Sequence, residues 1–464
     1  MPSCLRRYIV IFVIFIILGF VFQEEKENVE HSISKQKKII VQQMVQQQLS
    51  SEINNHLESF KEMQKTSPLL QHTKYKLLAG SSPHGKRLLT VGISSMQHPH
   101  GSHLLDTLHS LFRATSEAEL ECIVVLVHLS DADPEWLLKT ADSILKLFAL
   151  HIRSRRLLVV SGLLGDSSLS RPVKLNYSSP CAELYSRQRE GHALLMNFAS
   201  QLSEYFLLLE DNTQFAPNFV SAIYWTLLAW KEERWVVLEF SSLDSGKVLH
   251  TSDLSRFTSF FLLFPEDAPT HLLLSKFHHF LGQTVPIRFS ISLFHHMGNK
   301  SQLDDTCFPL EQDKVFGEAD NPVATVHTSM HSLWNVIPQY AYILNEEYYS
   351  TLDPVEGNHF TVVLNKPQRV TRIAVLTGSA DQGLYQLNKG HVLLGSEPLG
   401  DSRGCARYTL LGPLVDGKLD QRVFYEEGSG RELNCIQLLV LESQESWLLI
   451  KQIKVWVEPE EDEI

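Results

Sequence analysis

The sequence predicts an α/β head followed by an all-β sandwich, carried on a membrane anchor and a helical stalk. Three observations predict this order. An uninterrupted apolar run fills 8–22, strands alternate with helices from Leu88 onward, and after Ala324 short alternating runs are separated by Gly, Pro, Asn and Asp turns. The chain has 464 residues, room for two or three folded units of roughly 100–200 residues each. Its 44% hydrophobic and 20% charged content is that of a globular protein. The net charge of −12 argues against a surface built to neutralise phosphates, so no nucleic-acid partner is expected.

The apolar run from Tyr8 to Phe22 follows Arg6 and Arg7 and precedes Glu24 and Glu25, with no small-residue cleavage site behind it. It reads as an uncleaved signal anchor. The two arginines keep the short end in the cytosol, so 1–7 form a cytosolic tail and everything after Gln23 is luminal. Asn176 and Asn299 then lie in glycosylation triplets exposed to the lumen. From 23 to 87 a stalk is expected. Val41, Val45, Leu49, Ile53, Leu57 and Phe60 recur three or four apart and form one stripe on a helix, suited to a short dimeric coiled coil.

The head is expected over 88–323. Strands are predicted at Leu88–Ile93, Cys122–Leu129, Arg156–Val160, Tyr205–Leu209 and Trp235–Phe240, with helices over Leu104–Arg113, Trp136–Leu150 and Gln188–Leu202. Such alternation implies βαβ units and a parallel sheet. The strand ending in Glu210-Asp211-Asn212 carries polar groups at its carboxyl end, where an open α/β sheet places its ligand. Cys122 is expected to be buried in its strand. From 324 to 464 strands are predicted at Phe360–Leu364, Arg372–Leu376, Val392–Leu394, Val423–Tyr425, Cys435–Leu441 and Leu448–Val457, the pattern of a sandwich. Cys405 and Cys435, both in this module, are the expected disulfide. Tyr385 and Trp447 are either core residues or platforms for a sugar ring.

The sequence contains no P-loop, dinucleotide fingerprint, nucleophile elbow or His-Glu-x-x-His helix, which leaves the acidic strand end as the main chemical feature. A nucleotide-sugar transferase stabilises its departing diphosphate with a divalent cation held by oxygen ligands in such a place.

Several stretches support that reading: Leu89-Thr-Val-Gly-Ile-Ser, Thr107-Leu-His-Ser-Leu, Glu121-Cys-Ile-Val-Val, Tyr205 to Asn212, Trp235-Val-Val-Leu-Glu-Phe-Ser and Ser292-Leu-Phe-His-His-Met-Gly. In that order they resemble the class IV branching N-acetylglucosaminyltransferases, which add β-1,4-linked GlcNAc to the α-1,3 mannose arm of N-glycans. The resemblance covers Leu88 to Leu303. It implies a GT-A-like nucleotide-sugar-binding head, a lectin-like C-terminal module and type II placement in the Golgi membrane. The implied donor is UDP-GlcNAc, the cofactor a divalent metal, Mn²⁺ foremost, and the acceptor an N-glycan. Homo- or hetero-oligomers with Golgi glycosyltransferases are further partners it suggests.

Residue by residue, the resemblance assigns donor binding to Arg187, Gln188, Glu210 and Asp211, and metal binding to Asp211 and His296. Glu239 is the candidate general base, since an inverting transfer needs a carboxylate to deprotonate the acceptor hydroxyl. Its other reading is a satisfied buried carboxylate. One departure bears on activity: where the family has two consecutive aspartates this chain has Asp211 then Asn212, a weaker ligand for a hard cation. Arg189, Gly191 and His192 also differ from the family's pattern. A catalytically impaired member, acting as a regulatory or binding partner of Golgi glycosyltransferases, is therefore the alternative.

Overall fold

The computed structural model describes residues 73–97, 103–131, 133–163, 181–241, 245–263, 270–297, 316–379, 383–400, 403–426 and 432–459. The anchor, the helical stripe of the stalk, Asn176 and Asn299 lie outside these residues. No helix among the described residues is long and apolar enough to cross a membrane.

The chain opens with strand β1 (Lys74–Ala79), then β2 (Arg87–Ser95), α1 (Leu104–Ala114), the short α2 (Glu117–Leu120) and β3 (Ile123–Leu129). Helices α3 (Pro134–Leu147) and α4 (Ala149–Arg153) lead to β4 (Leu157–Leu163), and α5 (Ala182–Ala199) returns to β5 (Ser203–Glu210). Next come β6 (Thr213–Phe215), α6 (Phe219–Ala229), β7 (Val237–Glu239) and β8 (Lys247–His250). The head closes with α7 (Leu254–Leu263), α8 (Thr270–Phe280), β9 (Ile287–Arg288) and β10 (Phe294–His296).

Eight strands form one sheet in the order β1-β4-β3-β2-β5-β8-β7-β9. β2, β3, β4 and β5 are parallel, as the alternating pattern predicts, whereas β1 and β8 pair antiparallel to their neighbours. The sheet is therefore mixed. Every residue of β3 is buried, which is why it reads as an apolar run interrupted only by His128. β1 also corrects the stalk boundary: it pairs with β4 through Lys74↔Leu163, so the head begins by Lys74 and not at 88. Cys122 precedes β3 and is exposed, with its thiol turned to the Ala118 carbonyl at 3.8 Å.

From β2 the chain builds outward to β3 and β4, then crosses back through α5 to place β5 on the other side of β2. The order reverses between β2 and β5, and at such a switch point the carboxyl ends of adjacent strands splay to leave a crevice. Helix α5 crosses close above it. A Cβ on Gly191 would stand 2.6 Å from Ser94 Oγ and 3.0 Å from Ser130 Oγ, so only glycine permits this approach.

The C-terminal strands are β11 (Ala324–Thr328), β12 (Tyr349–Leu352), β13 (His359–Gln368), β14 (Val370–Thr377), β15 (Gly390–Pro398), β16 (Cys405–Pro413), β17 (Lys418–Arg422), β18 (Leu433–Val440) and β19 (Trp447–Val457). They form two antiparallel sheets, β11-β13-β18-β15-β16 and β12-β19-β14-β17. Phe360, Ile436 and Leu438 from the first and Tyr349, Ile450 and Ile453 from the second fill the sandwich core. Val423–Tyr425 is not a strand; the Tyr425 hydroxyl instead donates to the Val370 carbonyl at 2.8 Å. The Cys405–Cys435 disulfide forms as expected. It links β16 to β18 over the intervening β15, where a Cβ on Gly395 would lie 2.7 Å from one cysteine Cβ and 2.9 Å from the other.

His128, next to the last residue of β3, is wholly buried, and neither ring nitrogen makes a well-formed hydrogen bond. Burial lowers its pKa to about 3, with His192 adding repulsion. The folded protein thus refuses a proton that the unfolded chain accepts below pH ~6.5. Stability should fall as pH drops from that value towards 3, by about 2 kcal/mol at pH 5. Thermal melts of His128→Leu should lose this component of the slope; an unchanged slope would place its origin elsewhere.

Candidate functional site at the switch point

The turn after β5 is pinned from two sides. Ser95 Oγ, at the end of β2, donates to Asp211 Oδ2 at 2.5 Å, a bond that spans the switch point. Thr107 Oγ1, from α1, donates to the Asp211 carbonyl at 2.7 Å and accepts from Thr213 N at 3.1 Å. Asp211 is 9% exposed. Its side chain therefore serves the turn, while Glu210 and Asn212 flank it.

His296 arrives on β10, which pairs with β6 through His296↔Thr213. That register places its Nε2 3.9 Å from Glu210 Oε2 and 3.3 Å from Asn212 Nδ2, and Met297 N donates to the Asn212 carbonyl at 2.7 Å. Residues 84 and 86 positions apart are thereby assembled around one turn. Asn212 Oδ1 is buried without a donor, an acceptor that a cation or ordered water would satisfy. Among the described residues no group of three or more His, Cys, Asp and Glu is spaced to hold a metal. The donor set that fits a divalent cation is Glu210 and His296 with the Asn212 side-chain Oδ1, one carboxylate short of a strong site.

Arg187 lies on the first half of α5 and pairs with Asp131, just beyond β3, at 3.2 Å. Asp131 also accepts from Gln97 N at 3.1 Å and Asp133 N at 3.0 Å, tying together the loops after β2 and β3. Gln188 accepts from Thr270 Oγ1 at 3.0 Å, and Thr270 lies 3.2 Å from His192 Nδ1. Arg187 thus sits at the carboxyl ends of the strands, and Gln188 joins α5 to α8. Glu190, largely buried on the same helix, has its carboxyl pushed up by desolvation. Asp131 was missed from sequence, although the strand-end rule that selects Glu210 applies equally to the residue two beyond β3.

Glu239, the candidate general base, lies at the end of β7. It is buried, with Lys247 Nζ at 3.1 Å and Arg288 Nε at 2.7 Å from its Oε2. Desolvation would raise its pKa, but the two cations prevail and hold it below the usual carboxylate value. A carboxylate held ionised between two buried cations is a weak proton acceptor, an arrangement that favours a supporting role.

In the β module, Tyr385 and Trp447 are 45% and 40% exposed and are not core residues. Trp334, 70% exposed, joins them with its ring 5.3 Å from that of Trp447, and Tyr385 stands 5.6 Å away on its other neighbour contact. Trp334 and Tyr385 both have left-handed backbones, with φ of 55° and 64°. Such strain in bulky residues concentrates at functional surfaces.

Residues 51–315 match the family model described as MGAT4 conserved region. Among similar proteins is the chicken (Gallus gallus) alpha-1,6-mannosyl-glycoprotein 4-beta-N-acetylglucosaminyltransferase, 38% identical over 83% of this chain and 85% of its own. A mouse (Mus musculus) alpha-1,3-mannosyl-glycoprotein 4-beta-N-acetylglucosaminyltransferase-like protein, MGAT4E, is 37% identical over 83% and 87%. The macaque (Macaca fascicularis) alpha-1,3-mannosyl-glycoprotein 4-beta-N-acetylglucosaminyltransferase C is 31% identical over 98% and 96%. Among solved structures, chitosan-binding module 1 of a Paenibacillus chitosanase/glucanase covers 30% of this chain and 99% of its own at 10% identity and a TM-score of 0.24, a likeness on which nothing further rests. The chain belongs to the MGAT4 family of N-glycan-branching glycosyltransferases.

Glu239→Gln leaves Lys247 and Arg288 buried without a full countercharge, which should cost roughly 3–5 kcal/mol. Thermal unfolding should show a Tm lowered by several degrees. A variant of undiminished stability that has lost turnover would restore Glu239 as the base.

Proposed function

We propose that this chain transfers GlcNAc from UDP-GlcNAc in β-1,4 linkage to the α-1,3 mannose arm of N-glycans, as a type II protein facing the Golgi lumen. The observation that carries the reading is the assembly of Glu210, Asn212 and His296 at the carboxyl end of β5, beside the switch point. Family membership supports the donor and the linkage. The names of the relatives divide between the α-1,3 and α-1,6 mannose arms, so linkage analysis of the product decides the arm.

In this reading Arg187 meets the donor from α5, and Asp211 fixes the turn that presents Glu210 and Asn212. Glu210, His296 and the Asn212 carboxamide would hold a divalent cation, Mn²⁺ foremost. Such a cation supplies charge to stabilise the leaving diphosphate. The proton of the acceptor hydroxyl goes to a carboxylate other than Glu239. The exposed aromatic surface of Trp334, Tyr385 and Trp447 supports contact between the β module and sugar rings, whose C–H faces stack on such side chains.

Asn212 favours a second reading. Its carboxamide replaces a carboxylate and rests against His296, an arrangement suited to an impaired member that regulates or binds Golgi glycosyltransferases, through homo- or hetero-oligomers. Calorimetry of the full chain with UDP-GlcNAc, with and without Mn²⁺, separates the two, followed by turnover on a biantennary glycan. Metal-dependent binding with turnover is expected. Asn212→Asp should strengthen donor binding about tenfold, the effect of one added charge at short range. Folded protein that binds no donor, before and after that substitution, would leave the second reading in possession.

A further inference from the structure

A cleft of about 360 Å³ opens between the α/β head and the β sandwich. It shares no lining residue with the strand-end site. Contacts across the junction hold its walls: Phe289 bridges to Gln421, Ser290 N donates to the Asp420 carbonyl at 3.1 Å, and His391 faces Glu233 at 3.3 Å. Its volume falls in the range of small-molecule pockets, roughly 300–1,000 Å³, which also favour domain boundaries.

Trp230, one residue past α6, lines the cleft from the head. It is 3% exposed and packs so closely on the sandwich that a Cβ on Gly412 would lie 3.0 Å from its ring. Its indole N–H is buried and has no acceptor. An orphaned buried donor carries a penalty of roughly 1–3 kcal/mol, and an oxygen brought by a ligand would relieve it.

The charges around the opening select the kind of ligand. Arg234, Arg422, Glu426 and Glu432 are the cleft's charged lining residues, two cations and two carboxylates. An anion is opposed by the glutamates and a cation by the arginines, so the lining favours a neutral molecule. Among the described residues Arg234 and Glu432 are exposed and enter no ion pair. Guanidinium groups only donate and carboxylates only accept, whereas a hydroxyl does both. The ring of Phe424, flanked by the guanidiniums of Arg288 at 5.2 Å and Arg422 at 5.6 Å, adds an apolar face.

We infer that this interdomain cleft binds a neutral saccharide, at a site separate from donor binding. The inference does not require turnover at the strand end, so a chain that transfers nothing can still display it.

The test is titration of the full chain, with UDP present to occupy the strand end, using N,N′-diacetylchitobiose and a neutral biantennary N-glycan as probes. Saturable binding is expected, weakened roughly three- to tenfold by Arg234→Ala and by Glu432→Gln, each removing hydrogen bonds to a sugar hydroxyl. Trp230→Phe, which keeps the packing but lacks the N–H, should weaken binding about threefold. Binding of the disaccharide identifies a free-standing sugar site, and binding of the branched glycan alone identifies a second arm of the acceptor; both support the inference. The absence of saturable binding overturns it. So does binding that survives both rim variants, or that is lost in Trp447→Ala while surviving them.

Discussion

The buried contact of Glu239 with Lys247 and Arg288 is the constraint on which the second half of the molecule depends. Three short strands, β7, β8 and β9, each contribute one of these residues, and none is long enough to be held by its ladder alone. A buried carboxylate between two buried cations fixes their register, because any slip would strand a charge in the protein interior. From Arg288 the ordering continues outward. Its guanidinium lies over Phe424, and the next two residues bond to Gln421 and Asp420 of β17. The ion cluster that completes the sheet thus also seats the sandwich against the head.

The strand-end site depends on the other half of that sheet. Because the strand order reverses between β2 and β5, Ser95 and Asp211 meet across a crevice instead of continuing a ladder. Asp211 Oδ2 and the Asp211 carbonyl hold the turn, while Glu210 and Asn212 lie beside His296. An aspartate in place of Asn212 would add charge here without altering the frame. The chemistry of the site therefore rests on few groups, and the protein's own packing decides which of the neighbouring acids is available.

The elements of the head were legible in the sequence because each follows from local spacing. β3 is apolar apart from His128 since it is buried on both faces, and β5 ends at the Glu210-Asp211-Asn212 turn that marks the crevice. The antiparallel strands were less legible. β8 and β9 have four and two residues, too few to establish a period. β1 follows a Gln-rich stalk pattern that conceals its start, and β17 could not be distinguished from the apolar Val423–Tyr425 beside it. The family resemblance offered Glu239 as a strand-end acid, yet its partners Lys247 and Arg288 lie 8 and 49 positions away, beyond what local spacing shows.

An α/β head followed by a β sandwich, and the acidic turn that ends β5, are written in periodicity and residue type; the Cys405–Cys435 pair was only the pairing that their shared module suggested. Only the tertiary structure decided which residues share a neighbourhood. It brought His296 to Glu210, gave Asp131 to Arg187, buried Glu239 between two cations and raised Trp334, Tyr385 and Trp447 to the surface. Periodicity reports whether a face is buried, but the charge state and availability of a polar group depend on partners that long-range pairing supplies.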